Sequence, residues 1–171
     1  MQLQGRNVLV LGLGATGLSM ARWLARQGAC VRVADSRTDP PNASQLRSEL
    51  PDLRLDTGPF RFASFDAIDL LAISRGVALS EPMVKQALDK GLPVVGDVEL
   101  FAQAKDAGSK VIAVTGSNGK STVTTMAGSM CEAAGARTVV AGNIGVPVLD
   151  ALSERTQPEI YVLELSSFQL E

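Results

Sequence analysis

Residues 114–125 read VTGSNGKSTVTT, a glycine-rich stretch that joins an apolar segment to a helical one. The standard phosphate-binding loop follows G-x-x-x-x-G-K-[ST], and counting back from Gly119 and Lys120 puts its first glycine at position 114. That position is Val114 and the preceding glycine is Gly116, so this loop is shorter than the standard one. Because the small residues, the lysine and the hydroxyls are all present, the stretch favours an ATP site over a plain loop.

The chemistry of this second half of the chain depends on a few polar side chains. Lys120 would reach phosphates as a cation, and Ser121 or Thr122 would place a hydroxyl on Mg²⁺. Glu164 lies in an apolar strand, where a carboxylate is unfavourable unless it is paired or binds a metal. The sequence favours a metal role for Glu164 and leaves an ion pair with Lys120 as the alternative. The predicted ATP-binding residues are Thr115, Gly116, Ser117, Asn118, Gly119, Lys120, Ser121 and Thr122.

A second glycine motif, GLGATG at residues 12–17, also lies between an apolar run and a helix. It fits the dinucleotide pattern G-x-G-x-x-G, and Asp35 follows 18 positions after Gly17. The glycines would let the backbone approach a diphosphate, whose charge suits a helix N-terminus. Asp35 would accept from a sugar hydroxyl or a base N–H. The motif fits NAD and UDP equally well, and a ligand-free turn is the remaining alternative.

Strand and helix patterns alternate along the chain, which predicts an α/β fold with parallel sheets. The predicted strands are 7–11, 31–35, 53–55, 69–73, 93–96, 110–115, 138–141 and 160–165, and residues 36–44 are predicted to be a loop. The predicted domains are a Rossmann-like domain over residues 1–97 and the start of a P-loop ATPase-like domain over residues 98–171. Because about 60 residues follow residue 110, we expect a truncated piece of a longer protein.

Composition excludes several classes of function. The net charge is −2 and the basic residues are scattered, so no nucleic-acid binding is expected. No apolar run approaches the roughly 18–20 residues that span a bilayer, so no membrane insertion is expected. The chain has no histidine, which removes His-based catalysis and His metal ligands. Cys30 and Cys131 have no metal-ligand spacing and are expected to be reduced and buried, as in a cytoplasmic protein.

Four stretches resemble the Mur ligase family: TGSNGKST at 115–122, GDVELF at 96–101, AGNIGVP at 141–147 and VLELSSFQLE at 162–171. The first is similar to that family's ATP loop, which is shorter than the standard motif and so accounts for Val114. The resemblance covers essentially all of the chain. Together with GLGATG, these stretches are most similar to the family members that join D-glutamate to UDP-N-acetylmuramoyl-L-alanine.

This resemblance implies an ATP-dependent ligase of peptidoglycan synthesis that uses Mg²⁺, and we expect it to be a cytoplasmic monomer. The carboxylate of UDP-N-acetylmuramoyl-L-alanine would be phosphorylated by ATP to an acyl phosphate, which the amine of D-glutamate would attack. The first domain would then bind the UDP part of the substrate rather than NAD.

The resemblance also assigns residues. Lys120 and Glu164 would be catalytic, and Ser121 and Glu164 would be Mg²⁺ ligands. The substrate-binding positions would be Gly14, Ala15, Thr16, Asp35, Ser36, Arg37, Ser74, Asn143, Ser166 and Gln169.

The sequence departs from the family in two respects. Arg75 stands where the family usually has the proline of Ser-Pro-Gly, and it adds a charge beside the expected nucleotide site. The family also continues with a histidine, a carbamylated lysine and a C-terminal domain that binds D-glutamate. We therefore expect this chain alone to bind the UDP substrate without turnover.

Two other interpretations remain at this point. An NAD-dependent dehydrogenase would explain GLGATG and Asp35 but not TGSNGKST. A non-enzymatic nucleotide-sensing module would explain both loops, but it leaves Glu164 and the SSFQ run at 166–169 without a role.

Overall fold

The computed structural model describes residues 1–153, 157–166 and 169. The chain divides into two compact units, Met1–Asp97 and Val98–Glu171. Both units are built from helices and parallel strands, which confirms the predicted α/β class. Over the described residues, none of the helices has both the length and the apolar character required to cross a bilayer.

The first unit contains a five-stranded parallel sheet in the order β3-β2-β1-β4-β5. Its strands are β1 (Asn7–Leu11), β2 (Cys30–Asp35), β3 (Arg54–Thr57), β4 (Leu70–Ile73) and β5 (Val94–Val95). Its helices are α1 (Ala15–Arg26), α2 (Ala43–Glu49) and α3 (Pro82–Asp89), with a 3-10 turn at Phe62–Phe65. The chain leaves β1 toward β2 on one side, whereas β4 lies on the other, so the strand order reverses between β1 and β4. Open α/β sheets bind ligands in the crevice at such a point.

The core of the first unit lies around its two central strands. Residues 8–11 of β1 and residues 70–73 of β4 are all buried, because central parallel strands are covered on both faces. Helix α1 packs against β1 and β2 and buries Leu18, Ala21 and Leu24, which is the helical spacing seen in the sequence. This packing fixes the carboxyl ends of β1 and β4, and hence the loops that follow them.

The second unit contains three parallel strands in the order β6-β8-β7. The strands are β6 (Lys110–Val114), β7 (Thr138–Gly142) and β8 (Ile160–Glu164), and the helices are α4 (Asp97–Ala104), α5 (Lys120–Ala133) and α6 (Val148–Ala151). Strand β8 is central and buried, and the ring of Tyr161 packs edge-on against Phe101 at 4.9 Å between centroids. Val114 and Gly142 both pair with Glu164, so the three strands end at one edge.

Two details of the sequence interpretation were wrong. Residues 36–44 were predicted to be a loop, but helix α2 begins at Ala43. Only Ala43 and Leu46 of that helix are buried, so it carries no apolar stripe that the sequence could reveal. Cys30 was expected to be buried, but it is exposed at the first position of β2, while Cys131 is half-buried; both thiols are free.

Candidate functional site

The first glycine loop joins β1 to α1 at the crevice of the first unit. Gly14 is the N-cap of α1 and makes no side-chain cap, and the first turn contains no acidic residue. A Cβ at Gly17 would lie 1.7 Å from the carbonyl oxygen of Gly12, so the loop and the helix approach too closely for any side chain. The first turn of α1, which holds Ala15 and Thr16, therefore presents N–H groups that no side chain caps, an arrangement that suits an anion.

Asp35 is a buried anion whose oxygens already have protein donors. Its Oδ2 accepts from the N–H of Leu13 at 2.6 Å and from Nη2 of Arg37 at 2.6 Å. Its Oδ1 accepts from Nε of Arg37 at 2.8 Å and from the backbone N–H of Arg37 at 2.9 Å. Burial raises the pKa of Asp35, but the hydrogen bonds from Arg37 and Leu13 outweigh it and the pKa is lowered. Asp35 thus ties the loop after β2 to the glycine loop.

The other predicted substrate residues of this unit follow the same sheet edge. Ser36 and Arg37 are exposed directly after β2. Ser74 is buried directly after β4, and its N–H donates to the carbonyl of Leu11 at 2.9 Å. The structure therefore brings the three predicted segments, at residues 14–16, 35–37 and 74, to the carboxyl ends of β1, β2 and β4.

Arg75, which has no role in the sequence interpretation, directly follows Ser74 at this edge of the sheet. Its Nε donates to Oγ1 of Thr16 at 2.9 Å, in the first turn of α1. The contact spans 59 positions of the chain, so no local pattern could reveal it. The sequence indicated only that Arg75 lies beside the expected nucleotide site, since a cation directly after β4 lies at the crevice.

In the second unit, the short glycine loop joins β6 to α5. Gly119 is the N-cap of α5, with φ of 73°, no side-chain cap and no acidic residue in the first turn. Nζ of Lys120 donates to the carbonyl oxygens of Gly116 and Ser117 at 2.7 and 3.4 Å. The other predicted ATP-binding residues, Thr115, Gly116, Ser117, Asn118, Gly119, Ser121 and Thr122, are all exposed. This loop is therefore open to solvent, and the ammonium group of Lys120 is hydrogen-bonded to its carbonyl oxygens.

Two buried oxygens at the same sheet edge lack partners. Among the described residues, Oδ1 of Asn143 and Oε2 of Glu164 are buried and have no hydrogen-bond partner. Lys120 donates to the loop carbonyls instead, so the structure does not support the alternative of an ion pair with Glu164. A buried, unsatisfied carboxylate oxygen is unfavourable by itself and fits a ligand of Mg²⁺, which prefers oxygen.

The segment after β8 contains the remaining predicted residues. Oε1 of Gln169 accepts from the backbone N–H of Ser166 at 2.9 Å and from its Oγ at 3.1 Å. The rest of the SSFQLE stretch, at residues 167, 168, 170 and 171, lies outside the described residues. In the part of the chain that the structure covers, no three His, Cys, Asp or Glu residues cluster as a metal site. A metal here would depend on Glu164, on hydroxyl or amide oxygens and on phosphates, as is usual for Mg²⁺.

Comparison with known families accounts for most of the chain. The profile described as "Mur ligase MurD-like, N-terminal domain" matches residues 6–96, and the profile "Mur ligase middle domain" matches residues 114–171. Since the first of these covers more than half of the chain, the chain belongs to the Mur ligase family.

Its relatives narrow the comparison further. Over its whole length the chain is 58% identical to the UDP-N-acetylmuramoylalanine–D-glutamate ligase of Methylobacillus flagellatus, and it covers 37% of that protein. It is 57% identical to the ligase of the same name from Thiobacillus denitrificans, of which it covers 40%. The chain thus spans about two-fifths of the length of the curated relatives that it matches. The resemblance seen in the sequence is confirmed.

Solved structures share the fold. A UDP-N-acetylmuramate:L-alanyl-gamma-D-glutamyl-meso-diaminopimelate ligase from Neisseria meningitides has a TM-score of 0.58 at 22% identity, over 94% of this chain and 52% of that one. A UDP-N-acetylmuramate-alanine ligase from Thermotoga maritima has a TM-score of 0.54 at 20% identity, over 94% and 37%. At these identities the likeness supports the fold alone.

Proposed function

We propose that this chain supplies the UDP-substrate and ATP sites of a ligase that adds D-glutamate to UDP-N-acetylmuramoyl-L-alanine in peptidoglycan synthesis. The observation that carries the proposal is the buried Oε2 of Glu164 at the end of β8, which has no hydrogen-bond partner among the described residues. Glu164 pairs in register with Val114, the last residue of β6 before the glycine loop. A phosphate loop and an unsatisfied carboxylate therefore share one edge of the sheet, which is the arrangement that ATP with Mg²⁺ requires.

In the second unit, the phosphates of ATP would lie against the uncapped N–H groups at the start of α5. Lys120 would exchange its two carbonyl partners for phosphate oxygens and stabilise the charge on the phosphoryl group in transit. Ser121 and Glu164 would hold Mg²⁺, which would neutralise phosphate charge. No protein nucleophile is needed, because the substrate carboxylate would attack the γ-phosphoryl group of ATP and displace ADP to give the acyl phosphate. The amine of D-glutamate would then attack the acyl carbon, displace inorganic phosphate and lose a proton to give the amide.

Asn143, Ser166 and Gln169 would line the path of the substrate and the phosphoryl group at this edge. The buried Oδ1 of Asn143 has no partner among the described residues and would accept from a bound group. Ser166 and Gln169 already bond to each other, so they would act as a pair.

In the first unit, the backbone of Gly14, Ala15 and Thr16 would meet the diphosphate of the UDP substrate. An NAD site of this type needs a carboxylate that accepts from the ribose. Here both oxygens of Asp35 are engaged by Arg37 and Leu13, which favours UDP over NAD. Asp35 would hold the loop in place while Ser36, the exposed face of Arg37 and Ser74 border the nucleotide. A cytoplasmic location, a monomeric state and the absence of nucleic-acid binding stay predictions.

The proposal is tested by joining this chain to the part of the Methylobacillus flagellatus relative that it does not match. The hybrid should release phosphate from ATP only when both UDP-N-acetylmuramoyl-L-alanine and D-glutamate are present. Lys120→Ala should abolish the release. Lys110→Ala is the matched control, since Lys110 is exposed at the opposite end of β6. Phosphate release that does not depend on D-glutamate, or that persists in Lys120→Ala, would contradict the proposal.

A further inference from the structure

We propose that Arg75 is a phosphate-contacting residue of the first unit, whose guanidinium adds a cation to the diphosphate cradle. The inference rests on the proposed binding of a UDP substrate and names a residue of that site. It concerns the cation that directly follows Ser74 in the loop after β4.

The backbone places Arg75 directly beside the glycine loop. Leu11, the last residue of β1, pairs in parallel register with Ile73, the last residue of β4. The two segments therefore leave the sheet side by side at the crevice where the strand order reverses. From there Nε of Arg75 reaches Oγ1 of Thr16 at 2.9 Å. The guanidinium is thus held at the first turn of α1.

This hydrogen bond leaves the remaining donors available. Among the described residues, Nη1 and Nη2 of Arg75 make no hydrogen bond, and Nε donates to Thr16. Because Oγ1 of Thr16 accepts from Arg75, the hydroxyl proton of Thr16 is left to donate elsewhere. The backbone N–H groups of Ala15 and Thr16 are uncapped as well. Guanidinium, hydroxyl and backbone donors therefore lie at one helix turn, and no carboxylate among the described residues pairs with Arg75.

The charge of Arg75 is unfavourable at this position without an anion. The N-terminus of a helix carries a partial positive charge, so a cation there is repelled. Arg37 is neutralised by Asp35 in the same unit, whereas Arg75 has only a neutral hydroxyl as its partner among the described residues. A diphosphate would satisfy both the helix and the guanidinium, and arginine binds phosphate through two parallel N–H bonds.

The test is a calorimetric titration of the full chain with UDP and, separately, with uridine. Arg75→Gln should weaken UDP binding about tenfold and leave uridine binding unchanged, because only UDP carries the phosphates. Arg75→Lys keeps the charge but loses the planar fork, so its UDP affinity should lie between those of the unchanged chain and Arg75→Gln. Arg47→Gln is the matched control, since Arg47 is an exposed arginine in the last turn of α2, outside the loops that directly follow β1, β2 and β4.

Three results would overturn the inference. Equal UDP affinity in Arg75→Gln and the unchanged chain would show that Arg75 makes no phosphate contact. Tighter UDP binding in Arg75→Gln would show that the guanidinium obstructs the site. Equal losses for UDP and uridine would show that Arg75 only supports the fold. These outcomes leave UDP binding by the unchanged chain intact, whereas its absence would overturn the proposed function together with the inference.

Discussion

The backbone N–H of Asn143 donates to the backbone carbonyl of Glu164 at 2.9 Å, and each of these two residues also buries a side-chain oxygen that has no partner among the described residues. Their close approach depends on Gly142, where a Cβ would lie 2.3 Å from the carbonyl oxygen of Glu164. Leaving a buried polar group unsatisfied costs about 1–3 kcal/mol. The fold therefore holds two unfavourable oxygens, on residues joined by a backbone hydrogen bond, at the edge that carries the phosphate loop.

Glu164→Gln should weaken the binding of ATP with Mg²⁺ without lowering the stability of the fold. The neutral amide removes the buried charge, so the free energy of unfolding should stay within about 1 kcal/mol of the unchanged chain or rise. Affinity for ATP in the presence of Mg²⁺ should fall at least about tenfold, while the weaker binding of ATP without Mg²⁺ should persist. Titration of ATP with and without Mg²⁺ measures both.

Glu159→Gln is the control for that prediction. Glu159 lies just before β8 and is half-exposed in an ion pair with Arg137, so its loss should alter neither ATP affinity nor its dependence on Mg²⁺. An unchanged effect of Mg²⁺ in Glu164→Gln would argue against a metal role for that carboxylate.

Substituting alanine for two glycines of the first loop should affect different properties, UDP binding at Gly14 and stability at Gly17. At Gly14 an added Cβ meets nothing within 4 Å, so Gly14→Ala should change the stability by no more than about 1 kcal/mol. The same methyl would project into the open space over the loop and should weaken UDP binding about tenfold. At Gly17 the added Cβ meets the carbonyl of Gly12, so Gly17→Ala should destabilise the first unit by more than about 3 kcal/mol.

Urea unfolding followed through Trp23, the chain's only tryptophan, reports on this unit, since Trp23 lies in α1. Comparable stability of the Gly14→Ala and Gly17→Ala variants would mean that the tight loop is not built as the structure has it.

The ion pair of Asp35 and Arg37 predicts a loss of stability in acid. An aspartate whose pKa is lowered by folding adds stability above its unfolded pKa of about 3.9, and this contribution disappears as the pH falls through the folded value. Asp35→Asn should therefore lower the free energy of unfolding of the first unit by about 2 kcal/mol at neutral pH. The difference from the unchanged chain should shrink as the pH falls below about 4.

Glu49→Gln provides the comparison for the acid experiment. The hydrogen bond from Arg22 lowers the pKa of Glu49, but the pair lies at the surface, so its removal should have little effect at any pH. Acid unfolding followed by the fluorescence of Trp23 compares the two variants. Equal effects of the two substitutions would contradict a special role for the buried Asp35.

The two glycine loops made the architecture predictable from the sequence. Each follows a short apolar strand and precedes a helix with apolar residues at helical spacing, and both patterns are local. The carboxyl ends of parallel strands share an edge, so the approach of Glu164 to the phosphate loop also followed from the order of the elements. Helix α2 was missed because only two of its residues, Ala43 and Leu46, are buried.

The partners of the charged side chains were not predictable in the same way. Asp35 was expected to be an open acceptor for a ligand, yet the turn after β2 brings Arg37 back onto it. The contact between Arg75 and Thr16 depends on the register of β1 and β4, which the sequence does not specify. Such choices follow from the tertiary arrangement of the backbone rather than from local pattern.

The most direct measurement is a calorimetric titration of this chain with UDP-N-acetylmuramoyl-L-alanine, with NADH as the control ligand. We predict binding of the UDP compound and none of NADH, because the glycine loop offers donors to a diphosphate while the carboxylate of Asp35 is engaged by Arg37. Binding of NADH without binding of the UDP compound would contradict the account.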